Sequence, residues 1–258
     1  MSNIFIRTFF LAGLLASGIR SAFPAAPDAD LVPIRKVDRT ILVDLRYGSS
    51  RNITGHPLYP RGMPAMLRPH VAAKLLVAQA FLREHKMGLK IWDAYRPKSA
   101  HEQLWQYSSR NPDYVADPSA GGSLHTCGVA VDATLVDEKG RDVPMPTDFD
   151  DFTDAAMLQY NGDDPVVRRN LHLLQGAMAR AGFYGLRTEW WHFVSRDWKD
   201  YQPIPEIVMG PWGLPRVGQP KPAAGPIAPA RALPVDDPAG SPIPGHENSE
   251  ARRRSAER

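Results

Sequence analysis

Residues 123–132 read Ser-Leu-His-Thr-Cys-Gly-Val-Ala-Val-Asp. The decapeptide begins in polar residues and ends inside an apolar, β-branched run that continues as VAVDATLV (129–136). Such a run predicts a buried strand with a polar entrance. An aspartate at position 132 is out of place there, because a buried carboxylate without a partner is costly. His125 precedes it by seven residues, with Gly128 between them and the chain's single cysteine, Cys127, alongside. One cysteine cannot form an intramolecular disulfide, so Cys127 is either inert packing or close to chemistry.

Outward from this strand, other elements fall into place. ILVDLRY (41–47) alternates and predicts a strand, as do LKIWDAY (89–95) and RTEWWHFVS (187–195). Residues 68–88 predict a helix, with Pro69 in its first turn, apolar Val71, Leu75, Leu76, Ala78 and Leu82, and Gly88 at the stop. Residues 98–110 and 164–183 predict two more. The order lacks a regular strand–helix–strand rhythm. The expected fold is therefore α+β, a small antiparallel sheet with flanking helices.

The 258 residues are enough for one good-sized domain or two small ones, and a hydrophobic share of 43% is ordinary for a globular protein. Net charge is +3, and the only dense basic run is Arg252-Arg253-Arg254. Without a basic stripe interleaved with aromatics, nucleic-acid binding is not expected.

The first 26 residues have the layout of a signal peptide: one early cation, Arg7, an apolar run from Thr8 to Ile19, then small residues. Arg20 directly after the run leaves an uncleaved N-terminal anchor as the alternative. Export to the periplasm or beyond is expected, with no stable membrane association after cleavage. One domain is expected over 27–213. Residues 214–258 are rich in Pro, Ala and Gly and poor in large apolar side chains, which predicts a disordered tail. Nothing in the sequence speaks to oligomeric state.

Six histidines (56, 70, 85, 101, 172 and 246) lack acidic or cysteine partners at ligand spacing and read as surface or satisfied structural residues. His125 and His192 differ. His192 sits in an aromatic strand, three residues after Glu189, and Glu189 beside Trp190 and Trp191 is a second carboxylate in an apolar setting. Two histidines, an aspartate and a nearby carboxylate are what a catalytic zinc site requires: three N/O ligands, an open position for water, and a base outside the ligand set. A single metal would resolve both unfavourable burials. Arg96 ends the stretch IWDAYRP (91–97). Its extended conformation before Pro97 would suit either a salt bridge with Asp93 or a guanidinium aimed at a developing oxyanion.

Ser123 to Asp132 matches an SxHxxGxAxD signature, and Glu189-Trp-Trp-His192 matches ExWH. Together with WDAYRP (92–97), EWWHF (189–193) and VPMPTDFDDF (143–152), these blocks resemble the zinc D-alanyl-D-alanine dipeptidases, peptidase family M15, over residues 31–203. The resemblance implies one Zn²⁺ held at the sheet by His125, Asp132 and His192, with Glu189 as the base. Arg96 would stabilise charge on the scissile carbonyl. Asp150, assisted by Ser123 and Tyr47, would hold the substrate's free ammonium, with Asp151 adjacent and easily confused with it.

The substrate so implied is a small D-amino-acid dipeptide such as D-Ala-D-Ala. The alternatives are a D,D- or L,D-carboxypeptidase acting on peptidoglycan stems, and a non-catalytic wall-binding module of the same fold. The intact Glu189 argues against the second. Two local features sit awkwardly with this expectation. Residues 189 and 192 fall on opposite faces of an ideal strand, so a bulge or a strand end is required. Cys127, two residues from His125, would point the same way on an extended segment and compete as a ligand.

Overall fold

A computed structural model describes residues 31–112 and 114–204, with the backbone of two short strands at 207–209 and 215–217. The chain order is β1 (Val32–Pro33), α1 (Ile34–Val37), β2 (Leu42–Val43), β3 (Met66–Leu67), α2 (Pro69–Glu84), β4 (Met87–Asp93) and α3 (Lys98–Tyr107), then β5 (Ala130–Asp137), α4 (Pro165–Arg180), β6 (Phe183–Leu186), β7 (Glu189–Ser195), β8 (Ile207–Met209) and β9 (Pro215–Val217). Five strands form the main sheet in the order β2-β4-β5-β7-β6.

The α+β reading holds, with one refinement at the edge. β4, β5, β7 and β6 pair antiparallel, but β2 runs parallel to β4. The connection from β2 to β4 passes through α2, and a helical crossover brings the chain back in the same direction. The predicted strand over 41–47 pairs only at Leu42 and Val43. Beyond Asp44 the backbone leaves the sheet in a short turn at Arg46–Gly48, and this turns Tyr47 into the interior. The carbonyl of Tyr47 accepts from both Leu58 and Tyr59 N–H groups, which fixes that departure.

Both long helices start where the chain chemistry allows. Pro69 and Pro165 occupy first-turn positions that have no intrahelical N–H bond to lose. Asp164 caps α4, accepting from the Val166 and Val167 N–H groups at 2.8 and 3.4 Å. α2 and α4 pack on each other and against β4, β5 and β6. Val71, Leu75, Leu82, Leu171 and Leu174 join Ile91, Val131, Ala133 and Leu135 in one buried cluster.

β5 is central and buried along nearly its whole length. Alternation puts Val131 and Ala133 on one face and Asp132 on the other. Both neighbours of β5 are irregular beside Asp132. On β4, Ile91 pairs with Ala133 but Asp93 with Asp132, so one extra residue, Trp92, is spent. On β7, Gly185 of β6 pairs with Phe193 and Leu186 with Glu189, leaving Trp190–His192 without counterparts on β6. Bulges of this kind re-aim side chains.

The expected leader (1–26) lies outside the described residues, and so does most of the expected tail. Near the boundary expected at 214, β9 (215–217) pairs antiparallel with β8 (207–209).

Candidate active site

Three side chains converge beside the bulges. Asp132 and His192 are directly opposed cross-strand partners on β5 and β7, with His192 Nδ1 3.0 Å from Asp132 Oδ1. His125 Nε2 lies 3.1 Å from the same His192 nitrogen and 3.3 Å from Asp132 Oδ1. Among the described residues these three are the group that can offer ligand atoms to one metal ion.

His125 enters from a coiled segment rather than an extended one. Thr126, Cys127 and Gly128 donate in succession to the carbonyls of Ser123, Leu124 and His125. Consecutive i→i+3 bonds give about three residues per turn, so side chains two apart diverge by roughly 240° instead of sharing a direction. Cys127 therefore does not share the direction of His125; it is buried, and burial pushes its thiol up to about 11. It is not one of the converging ligands.

Gly128 closes this coil with φ +69°, and a Cβ there would come within 2.9 Å of Leu31 Cδ2 and 3.1 Å of Ile204 Cδ1. Only glycine combines that backbone with that proximity. Arg68 clamps the turn from outside, donating through Nε to the Cys127 carbonyl at 2.8 Å.

The donor set fits a divalent cation. His125 Nδ1–H donates to the Ala94 carbonyl at 2.7 Å, which leaves the Nε2 lone pair facing Asp132 Oδ1. Two acceptors set against each other in a buried site call for a positive charge between them. The edges of 3.0–3.3 Å are close to the roughly 3.3 Å expected between tetrahedral ligands at Zn–N and Zn–O distances of about 2.0–2.1 Å. Two imidazoles and one carboxylate are also suitable chemistry for zinc.

Glu189 stands next to this triad, Oε2 3.8 Å from His192 Nδ1. Burial pushes its carboxyl up to about 7, with His192 pulling it down and Asp132 and Asp150 pushing it up. Asp150 is also buried, and burial again dominates in raising it to about 7. Its partners are the Tyr47 hydroxyl, donating to Oδ1 at 2.9 Å, and the Ile53 N–H, donating to Oδ2 at 3.0 Å. It adopts φ +59°, a left-handed backbone that aspartate tolerates better than most residues.

Arg96 forms the salt bridge with Asp93 that the sequence allowed. Its Nε and Nη2 donate to Asp93 Oδ2 at 2.9 and 2.8 Å, while Nη2 also lies 3.7 Å from Asp132 Oδ2. Asp93 is fully buried and accepts further from the Tyr59 hydroxyl and the Ala94 N–H. Ser123 is buried, and its Oγ accepts the His125 N–H at 3.2 Å.

A cavity of about 700 Å³ unites these groups, and every residue predicted for the site lines it: Tyr47, Arg96, Ser123, His125, Asp132, Asp150, Glu189 and His192. Asp150 faces the cavity and Asp151 is not among its lining residues. Sequence reasoning undervalued His101, which is buried, lines the same cavity and reaches Arg96. The signal available was its place one helical turn beyond Pro97, on a helix that starts directly after Arg96.

Comparison with known proteins follows the same lines. The profile of the Peptidase M15 family, described as D-ala-D-ala dipeptidase, matches residues 27–209. The D-alanyl-D-alanine dipeptidase of Escherichia coli is 33% identical over 164 residues, covering 64% of this chain and 83% of that protein. The dipeptidase of the same name from Enterococcus faecium is 28% identical over 172 residues, covering 60% and 85%. A crystal structure of the vancomycin-resistance D,D-pentapeptidase VanY, in complex with Zn(II), covers 53% of this chain and 76% of that one. Its identity is 15% and its TM-score 0.34.

Proposed function

The chain belongs to the Peptidase M15 family of D-Ala-D-Ala dipeptidases, and from that premise we propose that it is a zinc-dependent hydrolase of D-Ala-D-Ala and related D-amino-acid dipeptides. The observation that carries this reading is the convergence of His125 Nε2, Asp132 Oδ1 and His192 Nδ1 within 3.0–3.3 Å, with Glu189 beside them in one cavity.

In this reading His125, Asp132 and His192 hold Zn²⁺. Bound there, the ion would polarise the scissile carbonyl and acidify a water toward a pKa of about 7. Glu189 takes a proton from the attacking water and passes it to the leaving nitrogen as the C–N bond breaks. A carboxyl raised to about 7 is suited to both halves of that task. The net change adds hydroxyl to the carbonyl carbon and a proton to the amine, giving two amino acids.

Arg96 donates to the carbonyl oxygen as negative charge builds on it, where fixed donors contribute most. Asp150, steadied by the Tyr47 hydroxyl and the Ile53 N–H, accepts from the substrate's ammonium. Ser123 Oγ, which accepts the His125 N–H with one lone pair, assists by accepting from the same ammonium with the other. A buried anion at the N-terminal end favours a free dipeptide over a stem peptide, because an acylated nitrogen would leave Asp150 without its cation. The apolar N-terminal stretch adds the proposal that the enzyme works outside the cytoplasm.

The test is a panel of dipeptides with free and blocked N-termini, and a pentapeptide stem, with and without chelator. D-Ala-D-Ala should be turned over fastest, lose turnover on chelation and regain it with Zn²⁺. Faster release of D-Ala from the stem would replace this reading by the carboxypeptidase one. Turnover unaffected by chelation at equilibrium would overturn the metal assignment.

A further inference from the structure

Arg96 is gripped on three sides. Asp93 takes the Nε and Nη2 edge, and the Tyr47 ring lies against the guanidinium, with Cζ 4.7 Å from its centroid. The third partner is His101 on α3, whose Nδ1 is 3.5 Å from Arg96 Nη1.

The tautomer of His101 follows from its other nitrogen. Nε2 lies 2.8 Å from the Ala116 carbonyl oxygen, which can only accept. Nε2 therefore carries the ring proton, and Nδ1 turns its lone pair toward Arg96. The ring is 2% exposed. Burial, reinforced by the Arg96 charge, pushes its pKa down to about 3, so it stays neutral at any working pH.

We propose that His101 is a positioning residue for Arg96: a neutral, single-tautomer acceptor that sets the Nη1 edge of the guanidinium toward the scissile carbonyl. This rests on the dipeptidase reading above. The chemistry of the partner matters. Arg96 carries one positive charge and is already paired with Asp93, so a second carboxylate in place of His101 would leave the group net negative where an oxyanion has to form. A cation would repel the guanidinium. A neutral acceptor fixes direction without adding charge of either sign. The long separation suits this role, since hydrogen bonds around a reacting centre often tighten only when charge develops. Ala116 anchors the ring from the 114–118 stretch, which also lines the cavity.

Three variants separate positioning from mere packing. His101→Asn keeps an acceptor near the Nδ1 position and drops the Ala116 bond. His101→Gln keeps a donor near the Nε2 position and drops the acceptor facing Arg96. His101→Phe drops both. With zinc content matched and each variant assayed well below its melting temperature, His101→Phe and His101→Gln should lower kcat roughly 10- to 100-fold with KM little changed. His101→Asn should recover most of the loss. Recovery by His101→Gln and not by His101→Asn, or no loss in any variant, overturns the proposal.

A readout free of hydrolysis keeps the two claims apart. Imidazole ¹⁵N NMR of the intact protein should show His101 protonated at Nε2, with an Nδ1 resonance that moves in Arg96→Leu. A proton on Nδ1, or a resonance indifferent to Arg96→Leu, sinks the pairing. A wild-type protein with those NMR features but no dipeptide turnover sinks the functional reading instead.

Discussion

Glu189 Oε2 lies 3.8 Å from His192 Nδ1 although the two residues are three apart on β7. An ideal strand would send them to opposite faces. The bulge over Trp190–His192 removes the conflict, because that stretch has no counterparts on β6 while His192 stays in register with Asp132 on β5. The base and the ligand thus share one side through a local departure from strand geometry. Trp190 and Trp191, which follow Glu189 on the strand, are both buried.

Replacing Glu189 by Ala should lower kcat by about 10²–10⁴-fold, the usual contribution of a positioned base. Bound zinc, measured by elemental analysis, should be retained, because Glu189 is not one of the three converging ligands. Wild-type turnover in this variant would remove Glu189 from the mechanism.

Asp150 predicts two pH effects. Its folded pKa of about 7 lies above the ordinary value of 3.8, so between those values the folded state holds a proton that the unfolded chain has lost. Its contribution to stability therefore falls as pH rises through that window and levels off above about 7. Chemical denaturation of Asp150→Asn across pH 4–8 should show a flatter profile than wild type. Binding runs the other way: the ionised form holds the ammonium, so KM for a free-amine dipeptide should fall as pH rises toward 7. KM for an N-acetylated dipeptide should respond little.

Asp93→Ala would leave the Arg96 guanidinium buried without its anion. Breaking a buried pair in this way costs about 3–5 kcal/mol. Urea unfolding should report that loss, and kcat should drop with it because Arg96 loses its Nε and Nη2 anchors. A stability change under 1 kcal/mol, about the worth of an exposed pair, would contradict the buried geometry.

Gly128→Ala tests the coil that delivers His125. The positive φ and the close approach of Leu31 and Ile204 together predict a destabilisation of about 1–3 kcal/mol. Weaker zinc retention should accompany it, since the strain falls between two ligands. Equal stability and metal affinity would mean that this turn can relax without moving the site.

Much of the site is legible along the chain because burial rules apply residue by residue. Asp132 within VAVDATLV and Glu189 beside two tryptophans each break the apolar pattern, and a carboxylate in such a place needs a cation or a proton. The alternation of β5 and the proline starts of α2 and α4 follow from local backbone chemistry; β5 and α4 form close to where the pattern puts them, whereas α2 stops at Glu84 and Gly88, read as its stop, lies within β4.

Other features depend on neighbours distant in sequence. The 123–128 coil looks extended until its carbonyls are counted, and Cys127 stays in the cavity wall without joining the three converging ligands. His101 reads as an ordinary helix-face histidine until Arg96 and Ala116 are placed around it. Beyond the short β2 edge, Tyr47 meets Asp150, a partner 103 residues further along the chain.

The sequence by itself thus determined which groups had to find a counter-charge, since the cost of burying an unpaired carboxylate is intrinsic to the residue and its apolar neighbours. Only the tertiary structure decided how they were satisfied. Two bulges flanking β5, a glycine turn and a neutral histidine set directions in space, and direction depends on contacts that no local pattern encodes.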